Sequence, residues 1–186
     1  MNKKFNIIYA DPPWNGLGWN NGSGKKCPAN HYKVLDVEEI KKLPIESIAD
    51  ENCALFLWVT FPNLQSGLDV MQAWGFRYCT IAFNWVKKNK KSDSWFWGCG
   101  NYTRANSEVC LLGMKGQLQR VSKSVHSVLD DRVMSHSQKP DEAAKRIVQL
   151  FGDIPRVELF ARRRMDGWDA CGDQVESSIV IPEICN

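Results

Sequence analysis

The chain has 186 residues, of which 44% are hydrophobic and 24% are charged, and these proportions exclude collagen-like and intrinsically disordered classes. Its 24 Lys and Arg residues against 21 Asp and Glu residues give a net charge of +3, which neither identifies nor opposes a polyanion-binding protein. We expect residues 1–186 to form a single domain with a core of its own. No apolar run approaches the ~20 residues of a membrane helix, and we expect neither a signal peptide nor a membrane partner.

The seven cysteines are widely spaced, and no CxxC pair occurs among them. Disulfide frameworks and zinc sites need paired spacings, which are absent here. We therefore expect reduced cysteines that serve as packing residues in a cytoplasmic protein, and we expect no metal site.

Short apolar runs alternate with amphipathic stretches, which is the pattern of an α/β sheet with helices on its faces. The predicted strands are Phe5–Ala10, Ala54–Thr60, Tyr78–Val86, Ser107–Met114 and Val157–Phe160, with a further strand near Trp168–Cys171 or Ile179–Ile181. The predicted helical segments are Val37–Lys42, Pro44–Ala49, Leu64–Trp74 and Pro140–Phe151, the last with Pro140 at its first position. Mobile loops are expected at about residues 15–33, 87–105 and 117–135.

The tetrad Asp11-Pro12-Pro13-Trp14 follows the first predicted strand directly, at the sheet edge where open α/β sheets bind ligands. Two consecutive prolines stiffen the backbone and leave carbonyls free to accept hydrogen bonds. The Asp11 carboxylate and the Pro12 carbonyl are suited to accept the two N–H donors of an adenine amine, while Trp14 offers a face for stacking. The alternative is a strand-ending turn with a packed tryptophan.

Two loop segments are candidates for contact with nucleic acid. The basic and aromatic segment contains Lys87, Lys88, Lys90, Lys91, Trp95, Trp97, Tyr102 and Arg104. Lysines in such a segment contact phosphates and aromatic side chains stack on bases, although a solvated hairpin tip is the alternative. The glycine-rich segment Gly16–Gly24 is either a flexible gate over the target or a plain linker.

Several motifs, taken in order, resemble the N6-adenine methyltransferases of the DPPW type. This family includes the eukaryotic messenger-RNA adenosine methylase and compact bacterial and phage relatives. The resemblance runs from Ile7 to about Val175. Beyond the tetrad, it rests on the segments 56–60, 73–76, 84–87, 98–104, Glu108, 113–116, 136–142, 158–162, 167–169 and 172–174.

The resemblance implies a Rossmann-like sheet, S-adenosylmethionine as methyl donor, and a permuted motif order in which the catalytic tetrad precedes the cofactor motifs. It implies that Ser137 and Lys139 lie near the methionine part of the donor, Arg162 near the ribose, and Asp173 with Gln174 at the ribose hydroxyls. Ala10, Asp11 and Phe160 complete the expected cofactor-binding set. His136 is expected to orient other groups or to be structural.

The expected activity is methyl transfer to the N6 amine of adenine in DNA. Three alternatives stay open at this point: the same reaction on RNA, a non-catalytic nucleic-acid-binding subunit, and methylation of a glutamine amide or a cytosine amine. The intact tetrad argues against the last two. The expected partner is nucleic acid, with a homodimer or a second subunit also open, in the cytoplasm of a bacterium or of a phage-infected host.

Overall fold

The computed structural model describes residues 3–14, 35–100, 102–134 and 138–185. Its strands are β1 (Phe5–Ala10), β2 (Ala49–Val59), β3 (Arg77–Val86), β4 (Ser107–Lys115), β5 (Val128–Leu129), β6 (Arg156–Leu159) and β7 (Asp169–Cys171). Its helices are α1 (Val37–Lys41), α2 (Leu64–Ala73) and α3 (Asp141–Phe151), with short 3-10 turns at Ile45–Ser47 and Phe61–Asn63. Within these ranges, no helix is long and apolar enough to cross a membrane.

The strands form one sheet in the order β5-β3-β4-β2-β1-β6-β7. β4 runs antiparallel to both of its neighbours, whereas the other pairs are parallel. In register, Ala10 lies opposite Leu57 and Leu159, while Val59 faces Val109 and Val86 faces Ser107. The carboxyl ends of β1, β2, β3 and β6 and the amino end of β4 therefore meet at one edge of the sheet.

Two apolar layers flank the sheet, as its buried central strands require. One layer includes Ile40 of α1 with Val70 and Met71 of α2, and the other includes Ile147 and Phe151 of α3. Helices on opposite faces confirm the expected Rossmann-like α/β fold.

The predicted elements are found, with a few differences at their ends. β2 begins five residues before the predicted Ala54, because the polar stretch ahead of that residue continues the strand and Ala49 pairs with Phe5. The two-residue strand β5 lies in a stretch with no period, where so short an element leaves no pattern. α3 begins at Asp141, and Pro140 is its N-cap rather than its first helical residue. Of the two candidates for the last strand, the one near Cys171 is correct.

The expectation that all the cysteines are reduced is wrong for one pair. Cys171, at the end of β7, forms a disulfide with Cys185 across 14 residues, because the segment that follows β7 returns to bring their Cα atoms within 5.8 Å. Cys53 and Cys110 are free and buried, as packing residues should be, whereas Cys79 and Cys99 are free and exposed.

Candidate active site

A cavity of about 460 Å³ opens beside the carboxyl ends of β1 and β6 and the start of α3. Its wall is formed by Tyr9, Asp11, Gln138, Lys139, Pro140, Asp141, Ala144, Glu158, Phe160, Arg162, Arg163, Met165 and Gln174. Its size lies in the ordinary range for small-molecule sites. The sheet edge predicted to carry the chemistry therefore borders a space that suits a ligand.

Asp11 lies in the wall of this cavity because it is the first residue after β1, whose carboxyl end borders the cavity. Its Oδ2 atom lies 2.6 Å from the Nζ atom of Lys139, and the same ammonium lies 3.4 Å from Oε2 of Glu108. Glu108 comes from the amino end of β4, which the antiparallel pairing brings to the same edge. One lysine thus bridges two carboxylates that are 97 positions apart in the sequence.

These contacts shift the pKa values of the three side chains. Burial raises the pKa of Asp11, although the Lys139 ammonium acts against it. Burial also acts to raise the pKa of Glu108, but the ammonium groups of Lys139 and Lys87 outweigh it and lower that pKa to about 2. Burial acts to lower the pKa of Lys139, but the carboxylates of Asp11 and Glu108 outweigh it and raise that pKa. The cluster keeps Lys139 and Glu108 charged across the physiological range.

The tetrad forms a tight, partly buried turn. The Trp14 backbone N–H donates to the Pro12 carbonyl at 2.8 Å, which leaves that oxygen a second lone pair. The Trp14 ring is only 8% exposed, and its indole N–H donates to the Trp58 carbonyl at 2.9 Å. This is the packed position that the alternative interpretation expected, and stacking of Trp14 on a base stays a prediction.

The expected cofactor residues are only partly brought together. Lys139, Phe160, Arg162 and Gln174 join Asp11 in the cavity wall, whereas Ala10 is buried at the end of β1 and is not among the lining residues. Asp173 is exposed beside Gly172, outside the set that lines the cavity. Ser137 and His136, like the Gly16–Gly24 segment, lie outside the described residues.

Two backbone features shape the cavity wall. Phe160 has a φ of 60°, a left-handed conformation that is uncommon for a residue other than glycine and that turns the chain sharply after β6. Gly172 lies against the backbone of Ala161, where an added Cβ would fall 2.0 Å from the carbonyl oxygen. Glycine at this position lets the segment that carries Gln174 approach the turn after Phe160.

Glu158 is a site residue that sequence reasoning missed. It belongs to β6 and lines the cavity, where burial, assisted by the Asp11 carboxylate, raises its pKa to about 7. Its sequence signal is a carboxylate inside an otherwise apolar run, Val157–Phe160. Perturbed carboxylates in clefts are candidates for functional groups.

The basic and aromatic segment leaves the same sheet edge, as predicted. Lys90 and Lys91 are exposed, as are Trp95, Trp97 and Tyr102. Lys88 pairs with Asp130 at 2.7 Å, and its ammonium lies 5.8 Å from the centre of the Trp95 ring. Contacts of these side chains with nucleic acid stay predictions.

Hydrogen bonds give this segment a defined shape. Arg104 donates to the carbonyls of Trp97 and Gly98 at 3.0 and 3.1 Å. Asn106 donates to the carbonyls of Lys87 and Phe96. The Arg104 guanidinium holds the turn that presents Trp97, which is 56% exposed, and the expected contact of Arg104 with substrate stays a prediction.

Lys87 has different surroundings from the exposed Lys90 and Lys91, and its expected contact with phosphate stays a prediction. Its ammonium lies 2.5 Å from Oε1 of Glu108 and 4.9 Å from the centre of the Trp85 ring, and its side chain is 17% exposed. It therefore extends the charged cluster of Asp11, Lys139 and Glu108, rather than the solvent-facing basic run.

Comparisons with known proteins agree with this arrangement. The MT-A70 family model matches residues 5–174. Type II methyltransferase M.MunI from Mycoplasma sp is 31% identical over 198 residues, which cover 97% of this chain and 82% of that protein. The N(6)-adenosine-methyltransferase subunit METTL3 of Danio rerio is 30% identical over 186 residues, and its human counterpart is 30% identical over 177.

This chain spans 30% of the length of the Danio rerio protein and 28% of the human one. The family model, in contrast, covers the chain from β1 to Gln174 in the cavity wall. On this match, and on the similarity to M.MunI over most of both chains, the protein belongs to the MT-A70 family of methyltransferases.

Proposed function

We propose that this protein transfers a methyl group from S-adenosylmethionine to the exocyclic N6 amine of adenine in DNA. The observation that carries the proposal is the Asp11 carboxylate, which lines the cavity and is paired with Lys139. The names of the METTL3 relatives specify N(6)-adenosine as the methylated group. The alignment with M.MunI over most of both chains, and the resemblance to compact prokaryotic members, favour DNA over RNA.

The cavity suits S-adenosylmethionine, the methyl donor of this family. Its wall offers cationic partners for an amino-acid carboxylate in Lys139 and Arg162, and a carboxyl partner for an amino group in Glu158. The amide of Gln174 is able both to donate to and to accept from a ribose hydroxyl. When bound there, the donor supplies a methyl carbon whose bond to sulfur breaks as the new bond to nitrogen forms, with the electron pair remaining on sulfur.

Asp11 has the main chemical role in this proposal. Its carboxylate accepts a hydrogen bond from the adenine amine and orients the nitrogen lone pair, which is otherwise delocalised into the ring. It also stabilises the positive charge that grows on that nitrogen. The methylated nitrogen then loses a proton to Asp11 or to water, so no strong base is needed. The second lone pair of the Pro12 carbonyl accepts a hydrogen bond from the other N–H of the amine.

Lys139 and the basic and aromatic segment have supporting roles. Lys139 fixes the Asp11 carboxylate in place, and alignment of the reacting groups is the main requirement when the leaving group is already good. The exposed Trp95, Trp97 and Tyr102 provide stacking surfaces, and Lys90 and Lys91 provide charge for phosphates. A target adenine in a duplex would have to leave the base stack to reach Asp11.

The test is tritiated methyl transfer to single-stranded DNA, duplex DNA and RNA of matched sequence, with Asp11→Ala as the control. Mass spectrometry of the digested nucleosides then identifies the modified base. We expect N6-methyladenine from a DNA substrate and none with the variant. Transfer to RNA alone would correct the substrate, methylcytosine would correct the target, and nucleic-acid binding without transfer would favour the non-catalytic alternative.

A further inference from the structure

Four charged side chains form a continuous, alternating line at the sheet edge. Lys87 Nζ lies 2.5 Å from Glu108 Oε1, Glu108 Oε2 lies 3.4 Å from Lys139 Nζ, and Lys139 Nζ lies 2.6 Å from Asp11 Oδ2. The four side chains are 12% to 24% exposed. They come from the end of β3, the start of β4, the segment before α3 and the end of β1, so only the folded sheet brings them together.

The surroundings of Lys87 differ from those of a lysine that contacts phosphate. Its ammonium is already paired with a mostly buried carboxylate and lies close to the face of the Trp85 ring. A phosphate would have to compete with Glu108 for this charge. Lys90 and Lys91, in contrast, are exposed in the same segment.

Glu108 connects Lys87 with the catalytic carboxylate, because its two oxygens contact different lysines. Without Lys87, Glu108 and Asp11 would share the Lys139 ammonium, with Arg162 as a further positive charge acting on Asp11, and the line of four charges would change from neutral to net negative. Loss of one partner from a buried ion pair leaves an uncompensated charge, which is costly. The cluster would then take up a proton more readily, and Lys139 would be drawn toward Glu108.

We propose that Lys87 is a positioning residue: it neutralises and holds Glu108, so that the shorter contact of Lys139 is with Asp11, which it keeps in the ionised, oriented state that methyl transfer needs. The catalytic consequence of this inference rests on the proposed function. The effect of Lys87 on Glu108 does not. Among the described residues, the other ionisable groups that act on or respond to Asp11 are Arg162, Glu158, Tyr9 and Cys110, and none of them would be altered in the test.

The experiment compares the pH dependence of methyl transfer in the wild type, Lys87→Met and Lys87→Arg. Lys115→Met is the matched control, because Lys115 pairs with Glu46 at the opposite end of β4. We expect Lys87→Met to move the acid limb of kcat upward by about one pH unit, as the loss of a nearby opposite charge does for a carboxylate. In Lys87→Arg and in Lys115→Met, the acid limb of kcat should lie at the same pH as in the wild type.

A double-mutant cycle with Glu108→Gln tests the route of the effect. If Lys87 acts through Glu108, then Lys87→Met should cause no further shift in the Glu108→Gln background. An equal shift in both backgrounds would overturn the proposal. So would an unmoved acid limb in Lys87→Met combined with a shallower salt dependence of DNA binding, because that pair of results is the signature of a phosphate contact.

Carboxyl NMR titration separates this inference from the proposed function. In labelled protein without substrate, we expect the titration midpoint of Glu108 to rise in Lys87→Met, whether or not the enzyme methylates adenine. An unchanged Glu108 midpoint would refute the role of Lys87, even if the wild type methylates adenine. A raised midpoint, together with a wild type that does not methylate adenine, would refute only the proposed function. If Lys87→Met fails to fold, Lys87→Gln keeps a hydrogen-bond donor and serves the same comparison.

Discussion

Trp14 is joined to Trp58 by a hydrogen bond of 2.9 Å from its indole N–H to the Trp58 backbone carbonyl. The Trp58 indole in turn donates to the Tyr9 hydroxyl at 2.7 Å, and Tyr9 lines the cavity. The tryptophan of the tetrad is therefore attached to the central strands of the sheet. Its contacts give the turn after β1 a fixed position beside the cavity.

We expect Trp14→Phe to lower the free energy of unfolding by about 1 to 3 kcal/mol, because the buried Trp58 carbonyl loses its donor. Urea denaturation measures the difference. Phenylalanine keeps an aromatic face. If Trp14 also stacks on a base, Trp14→Phe should therefore leave the KM for nucleic acid nearly unchanged. Unaltered stability would contradict the packing role that we assign to this residue.

We expect Asp11→Ala to reduce turnover by at least about 100-fold, the usual effect of removing a group that stabilises charge in the transition state. Donor affinity should fall by less than about tenfold, because Lys139, Arg162 and Gln174 remain in the cavity wall. Isothermal titration calorimetry with the donor gives the affinity, and methyl transfer gives the turnover. Equal losses in the two measurements would assign Asp11 to the cofactor instead.

Glu158 should make the stability of the protein depend on pH near neutrality. Its pKa is raised from 4.5 to about 7, so between these values the folded protein holds a proton that the unfolded chain has released. The free energy of unfolding should therefore fall as pH rises through this window, by roughly 1 to 3 kcal/mol.

Glu158→Gln should remove most of that dependence, since glutamine does not titrate. Chemical denaturation at pH 5, 6, 7 and 8 is the measurement, and Glu176→Gln, at an exposed position, is the matched control. A wild-type stability that increases from pH 5 to pH 8, with no difference in the Glu158 variant, would be inconsistent with this assignment.

The disulfide between Cys171 and Cys185 encloses the segment that carries Gln174. We expect Cys185→Ser to cost about 3 kcal/mol of stability, the contribution that chain entropy predicts for a loop of this length. Thermal or urea unfolding with and without a dithiol reductant measures it. The reductant should affect the wild type and Cys79→Ser, which alters an exposed free cysteine, but not Cys185→Ser.

The strands and longer helices could be predicted because each has a strong local pattern. The apolar run Phe5–Ala10 and the amphipathic stripe of Asp141–Phe151 are examples. β5 and the extension of β2 to Ala49 could not be predicted, because a two-residue strand and a polar strand end have no period. The Cys171–Cys185 bond could not be predicted, because the sequence separation of the two cysteines does not show that the chain after β7 folds back toward Cys171.

The order of residues alone specifies the alternation of strands and helices, the position of the Asp11 tetrad after the first strand, and the motif order that indicates the family. Each strand, helix or motif is recognised within a short stretch, and their order follows directly from the chain. The packing of Trp14, the exposure of Glu158 to the cavity and the pairing of Lys87 with Glu108 arise from contacts between distant parts of the chain and become visible in the folded protein. The antiparallel strand β4 brings Glu108 to the edge where Asp11 lies, and no local pattern specifies which strands become neighbours.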